Sequence, residues 1–165
     1  MATATTLQSL NTDADFGSVS AVGSSNRRQI ETFIAKETLL VGDWVAFDYA
    51  ASADSDVTLG VFKADANSSP VRVPFGVVLR SAETTGTLTA GSRVDVVISG
   101  VASALCSDNA GAGNAIGTML AITNTAGVAD IAQAASTQPV CGVLAQTIGA
   151  GAGTVLRRVV VLKNF

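Results

Sequence analysis

The sequence predicts an all-β fold: a small β-barrel or β-sandwich built from two duplicated half-modules, with an extended N-terminal arm. Three observations predict it. First, the apolar runs are short and Val-rich, and Gly, Thr and Ser bound them, which is the pattern of strands rather than helices. Second, the runs occur twice. Pro74-Phe75-Gly76-Val77-Val78-Leu79 returns as Pro139-Val140-Cys141-Gly142-Val143-Leu144, and Arg93-Val94-Asp95-Val96-Val97 returns as Arg158-Val159-Val160-Val161-Leu162, at offsets of 65 to 66 residues. Third, residues 1–26 are rich in Thr, Ser, Ala, Asn and Asp, too polar to bury a core of their own.

The arm, residues 1–26, carries only Leu7, Leu10, Phe16, Val19 and Val22 as apolar anchors, with Arg27 and Arg28 at its exit. It reads either as a tail or as an arm that orders on a neighbour; fully extended it spans ~85 Å. A single β domain is expected over residues 27–165. From Asn26 to Leu40 the pattern is open: Ile30, Phe33 and Ile34 share a helix face, whereas Ile30, Thr32 and Ile34 alternate as in a strand. Gly42-Asp43 is a turn before the strand Trp44–Phe47. A polar Ala/Ser/Asp loop leads to a strand over Val57–Lys63. Two further apolar runs, Val71 to Leu79 and Arg93 to Cys106, close the first copy.

The second copy repeats this order after the turn-forming stretch 107–114. Ile116 to Ile122 parallels Val41 to Phe47, and Gly127 to Ala132 stands where Leu59 to Ala64 stood. The pseudo-repeats are about 41–100 and 116–163. Modules of about 60 residues are marginal alone, so a shared core is expected. Trp44, the single tryptophan, is expected to anchor the core or a subunit contact.

Composition narrows the function classes. The 165 residues are 48% hydrophobic but only 14% charged and 5% aromatic, and the mean hydropathy is +0.43. No run reaches the ~18 apolar residues of a membrane helix, so no membrane partner is expected and burial against other chains is. A net charge of −3 argues against nucleic acid, which needs a basic footprint. The opening MATATTLQSLNTDADF lacks the basic and apolar regions of a signal peptide, so secretion by that route is not expected. Cys106 and Cys141 form no metal spacing; buried free thiols are the favoured reading, and a disulfide joining the halves the alternative.

No catalytic, cofactor-binding or metal site is expected. The chain has no histidine, which removes His-based triads and metal sites. Lys36, Lys63 and Lys163 sit in no recognisable motif. Gly111 to Gly117 spells GxGxxxG, one residue too long for a dinucleotide fingerprint. The run Gly149 to Gly153 lacks the lysine of a phosphate loop. Both read as connections. The paired carboxylates Asp13/Asp15, Asp43/Asp48 and Asp54/Asp56 read as solvated turn residues, with neither the aromatic setting of a sugar site nor the full ligand set of an EF-hand.

The segments VGDWVAFD, PFGVVL and SRVDVVISGVASAL, in this order behind a polar arm, resemble the capsid decoration, or cement, proteins of tailed bacteriophages over roughly residues 28–162. The resemblance lies in the succession of glycine-marked strands rather than in a rigid signature. It implies a homotrimer on the capsid exterior, made in the host cytoplasm, that clamps neighbouring copies of the major capsid protein. Leu7, Leu10, Phe16, Val19, Val22, Arg27 and Arg28 are the expected partner-binding residues. Two rivals are another virion component, such as a head fibre or tail part, and a small carbohydrate-binding module. Trp44 exposed on a concave face would favour the latter, and a buried Trp44 would count against it.

Overall fold

The structure, a computed structural model, describes residues 28–47, 59–68, 72–79, 87–132 and 139–163. Its first half closes a five-stranded barrel. β1 (Gln29–Ala35), β3 (Trp44–Phe47), β4 (Gly60–Lys63), β5 (Gly76–Val78) and the first part of β7 (Arg93–Cys106) are joined in the order β1-β4-β3-β5-β7, and β1 pairs back onto β7. The short strands β2 (Leu39–Leu40) and β6 (Thr87–Leu88) pair beside it. The open choice over residues 26–40 is resolved as a strand. Phe33 and Ala35 point inward while Ile34 is exposed, because β7 offers β1 a six-rung antiparallel ladder that a helix would forgo.

The second half repeats this arrangement. β8 (Met119–Ile122), β9 (Ala129–Ile131), β10 (Val140–Leu144) and β11 (Val155–Val161) follow β7 in the order β7-β11-β10-β8-β9, and the ring returns to β7 through the parallel step Cys106↔Ala129. The 14-residue β7 therefore serves both rings: its first half completes one barrel and its second half begins the next. β4-β3-β5-β7 and β9-β8-β10-β11 have the same order, and β1 in the first ring stands where the end of β7 stands in the second.

The equivalence extends to single hydrogen bonds. Gly42 and Gly117 both turn the chain at positive φ, 90° and 88°, where a side chain would be strained. Gly42 N–H donates to Val78 O at 3.0 Å and Gly117 N–H to Leu144 O at 2.8 Å. Leu79 N–H donates to Asp95 O, and Ala145 N–H to Arg158 O, both at 2.8 Å. Gly76 and Gly142 occupy matching places in β5 and β10. One refinement of the sequence alignment follows. Asp95 matches Arg158, so Arg93 does not match Arg158; the sequence echo is two residues out of step along that strand. A two-residue slip keeps every side chain on its own face, which is why the apolar pattern did not reveal it.

Each ring has its own filling. Phe33, Val45, Val61, Phe75, Val78, Val94, Val96 and Ile98 fill the first, where Phe47 and Phe75 stack at 3.9 Å and Phe33 meets both edge-on. The second is lined by smaller groups, among them Ala102, Ala104, Cys106, Ala129 and Cys141, with Leu120, Leu144, Val159 and Val161. Trp44, on the outer face of the first barrel, completes it. Its indole is fully buried and its Nε1–H donates to Leu105 O at 3.2 Å. A Cβ on Gly142 would come within 2.8 Å of the ring, so this glycine makes room for it. The junction is pinned by Trp44 N–H to Gly127 O, Gly127 N–H to Ala64 O and Ala66 N–H to Thr123 O.

Candidate interaction surface

The two barrels differ in what lies on their outer faces. Across the first, the register Trp44↔Val77↔Val97↔Ile30 sets four side chains in one row over β3, β5, β7 and β1. Trp44, Val77 and Val97 have no exposure, and Ile30 packs against the same cluster. The matching row on the second barrel is Met119↔Val143↔Val160↔Val101, over β8, β10, β11 and β7. Here Met119 is 60% exposed and Val160 36%, with Val143 and Val101 half-buried. Leu162, two residues beyond Val160, is exposed as well. At ~4.8 Å between strands the row runs ~14 Å across the barrel. Side chains this close on one sheet face form a continuous apolar strip.

Alternation places the strip. In VLRRVVV, Val159 and Val161 point inward while Leu156, Arg158 and Val160 point out. In β10 a register shift between Val140 and Gly142 adds one residue. Cys141 is buried at this shift and its Sγ–H points to Leu120 O at 3.3 Å. β8 and β10 carry no charged residue, so the strip has no ion to keep hydrated until Arg158 on β11.

Arg28 is half-buried at the foot of β1, where Gln29 pairs with Ser99 while Val161 of β11 pairs with the adjacent Gly100. The two ends of the β domain therefore meet beside the middle of β7, next to Val160 and Leu162. Leu7, Leu10, Phe16, Val19, Val22 and Arg27 lie outside the described residues. The strip itself was missed by sequence reasoning, although the match of Met119, Val143 and Val160 to Trp44, Val77 and Val97 could have marked it.

The charged and nucleophilic groups inside the fold are occupied with structure. Asp43, expected to be a solvated turn carboxylate, is instead buried in the Gly42 turn. Its Oδ2 accepts Leu40 N–H at 2.7 Å and faces Lys63 Nζ at 3.4 Å. Burial raises its carboxyl above the ordinary value, and the Leu40 N–H and Lys63 oppose the rise. Asp108 bridges two loops by accepting from Gly111 N–H at 3.1 Å and Gly153 N–H at 2.9 Å. The Gly153 bond leads in lowering its carboxyl below the usual range. These loops are the two glycine-rich runs noted above, and they act as connections held by a carboxylate. Asn114 Nδ2 donates to Ser107 O at 3.0 Å and Asp130 Oδ1 at 3.1 Å. Cys106 and Cys141 are buried and free, not joined. Burial pushes the Cys106 thiol to about 12 and the Cys141 thiol upward too, so neither supplies a thiolate near neutral pH. Trp44 is buried, which counts against the carbohydrate-binding alternative.

No protein-family model matches the chain, and no curated protein matches it. Among solved structures, the chain is similar to the N base of the head fibre gp8.5 of bacteriophage phi29. The identity is 16% and the TM-score 0.49, over 82% of this chain and 94% of that one.

Proposed function

We propose that this protein is a structural component of a tailed-phage virion that sits on the capsid exterior and stabilises it by clamping neighbouring major capsid proteins. The family resemblance of VGDWVAFD, PFGVVL and SRVDVVISGVASAL motivates the identity of the partner. The structural observation that supports a scaffold role is the seam in mid-β7. Arg28, the first described residue, enters the fold there, beside an apolar strip that the described residues leave exposed. A double barrel whose first strand begins at its waist suits a protein whose work is contact rather than chemistry.

In this reading Leu7, Leu10, Phe16, Val19 and Val22 make the capsid contact, with Arg27 and Arg28 at its base. Full burial of such side chains is worth roughly 1.5–3 kcal/mol each. Ordering backbone costs ~1–2 kcal/mol per residue, so main-chain pairing with a neighbour's strand edge has to contribute as well. The test is binding of the purified chain to undecorated capsids of its own phage. Stoichiometric occupancy and raised thermal resistance of the shell are expected. The Leu10→Asp, Phe16→Asp double variant is expected to lose most of the occupancy. Absence of binding to the shell, with the protein found instead at a fibre or tail position in virions, would replace the clamp with the other virion roles.

A further inference from the structure

We infer that the Met119–Val143–Val160–Val101 strip is the face through which copies of this chain pack against one another. The inference does not rest on the virion reading, because it concerns the isolated chain with no capsid present.

Its basis is the duplication. The matching strip on the first barrel, Trp44–Val77–Val97–Ile30, is an interface already: the second barrel covers it, and its first three residues have no exposure. The same strand arrangement on the second barrel presents the same kind of row with no cover among the described residues. Met119 stands where Trp44 stands, 60% exposed. Two chemical features select a second copy as the cover. β8 and β10 are without charge, so the centre of two identical strips can meet with no ion to be stripped of water, and the exposed Arg158, beside Val160 on β11, is left to the rim. The side chains are also short Val and one Met, a pliable residue that can adapt to its own image.

The geometry further selects the mode of packing. Inside the chain, the covered strip works by sending the Trp44 indole into the second barrel beside Gly142. The matching place in the first barrel, beside Gly76, is taken by Val96, and Phe33, Phe47 and Phe75 occupy the rest of that core. A neighbouring copy's Met119 thus has no cavity to enter there. Head-to-tail continuation, which would lead to filaments, is closed off. Strip against strip, a closed assembly, is what remains.

Sedimentation of the full chain tests this. At micromolar concentration the mass is expected to be a multiple of 16.6 kDa. Met119→Lys with Val160→Lys sets like charges face to face and is expected to weaken association by about 100-fold or more. Leu40→Lys, at an exposed apolar position on the first barrel, is expected to leave it unchanged. Emission from buried Trp44 verifies the fold of each variant. Should the double variant misfold, Val143→Thr, of similar volume, decides instead, with association weakened about tenfold. A wild-type chain that stays monomeric to about 100 µM overturns the inference, whether residues 1–27 or nothing covers the strip. So does a folded double variant, or Val143→Thr, that associates as the wild type does.

Discussion

The two barrels share a strand order, a glycine turn and a hydrogen-bond plan, yet only one is self-sufficient in its core. The first is filled by its own residues, with the stacked Phe47 and Phe75 and the edge-on Phe33 at its centre. The second is lined by Ala and Cys where the first has larger groups: Ala129 stands in place of Val61, and Cys141 in place of Phe75. The missing volume is supplied from outside, by Trp44 of the first barrel. The two repeats share a backbone plan, yet one supplies the plug of the other. The lesson is that an outer row on one repeat can be core for its neighbour, so the burial of a strand face depends on what stands next to it.

The largest way to break this asymmetry is Trp44→Ala. It removes a fully buried side chain and its bond to Leu105 O, a loss of about 3–5 kcal/mol measurable by denaturant unfolding. Amide exchange should speed up more at Ala129 and Gly142 than at Val94 and Val96, since the second barrel loses its plug. Equal acceleration in both would mean that the barrels do not differ in this way.

The matched pair Gly76→Ala and Gly142→Ala sharpens the comparison. Each added methyl meets a neighbouring carbonyl, Val97 O at 2.8 Å and Val160 O at 3.0 Å. Overpacking of this kind costs about 1–3 kcal/mol. Only Gly142→Ala also displaces the indole, so only it should shift Trp44 emission. The readout is fluorescence beside the unfolding midpoint.

The smallest effects are electrostatic and opposite in sign. Burial raises the Asp43 carboxyl, so its contribution to stability is full below about pH 4 and is lost as pH rises through the raised value. Asp108 is lowered, chiefly by the Gly153 N–H; its contribution is present above about pH 4 and is lost as pH falls through the lowered value. Thermal unfolding across this range should separate the two. Relative to wild type, Asp43→Asn gains melting temperature as pH rises from about 4 toward neutrality, whereas the deficit of Asp108→Asn shrinks as pH falls below about 4.

Much of this fold was legible in the sequence, for a physical reason. Strands have a two-residue period, and turns that demand positive φ select glycine. Val-rich runs punctuated by the turn glycines Gly42 and Gly117, and by Gly76 and Gly142 where neighbouring chain comes too close for a Cβ, therefore announced both the strands and their repetition. The same period hid the two-residue offset between Arg93 and Arg158, because a slip of two leaves the inward and outward faces unchanged. The Asn26–Leu40 stretch was open because Ile30, Phe33 and Ile34 fit either period; β7 decided it by offering an edge to pair with.

By itself, then, the sequence determined strand content, turn positions, the duplication and the scarcity of chemistry-bearing side chains, since these are local or compositional. The tertiary structure alone decided that β7 belongs to both barrels, that Trp44 is core to the one it does not come from, and that the other described residues leave Met119 and Val160 exposed and Val143 half-buried. Those facts depend on which strand edges meet between segments far apart in the chain, as Ile30 does Val97, Val101 does Val160 and Trp44 does Leu105. In a strand, Trp44-Val45-Ala46-Phe47 reads the same whether a second barrel stands over it or water does.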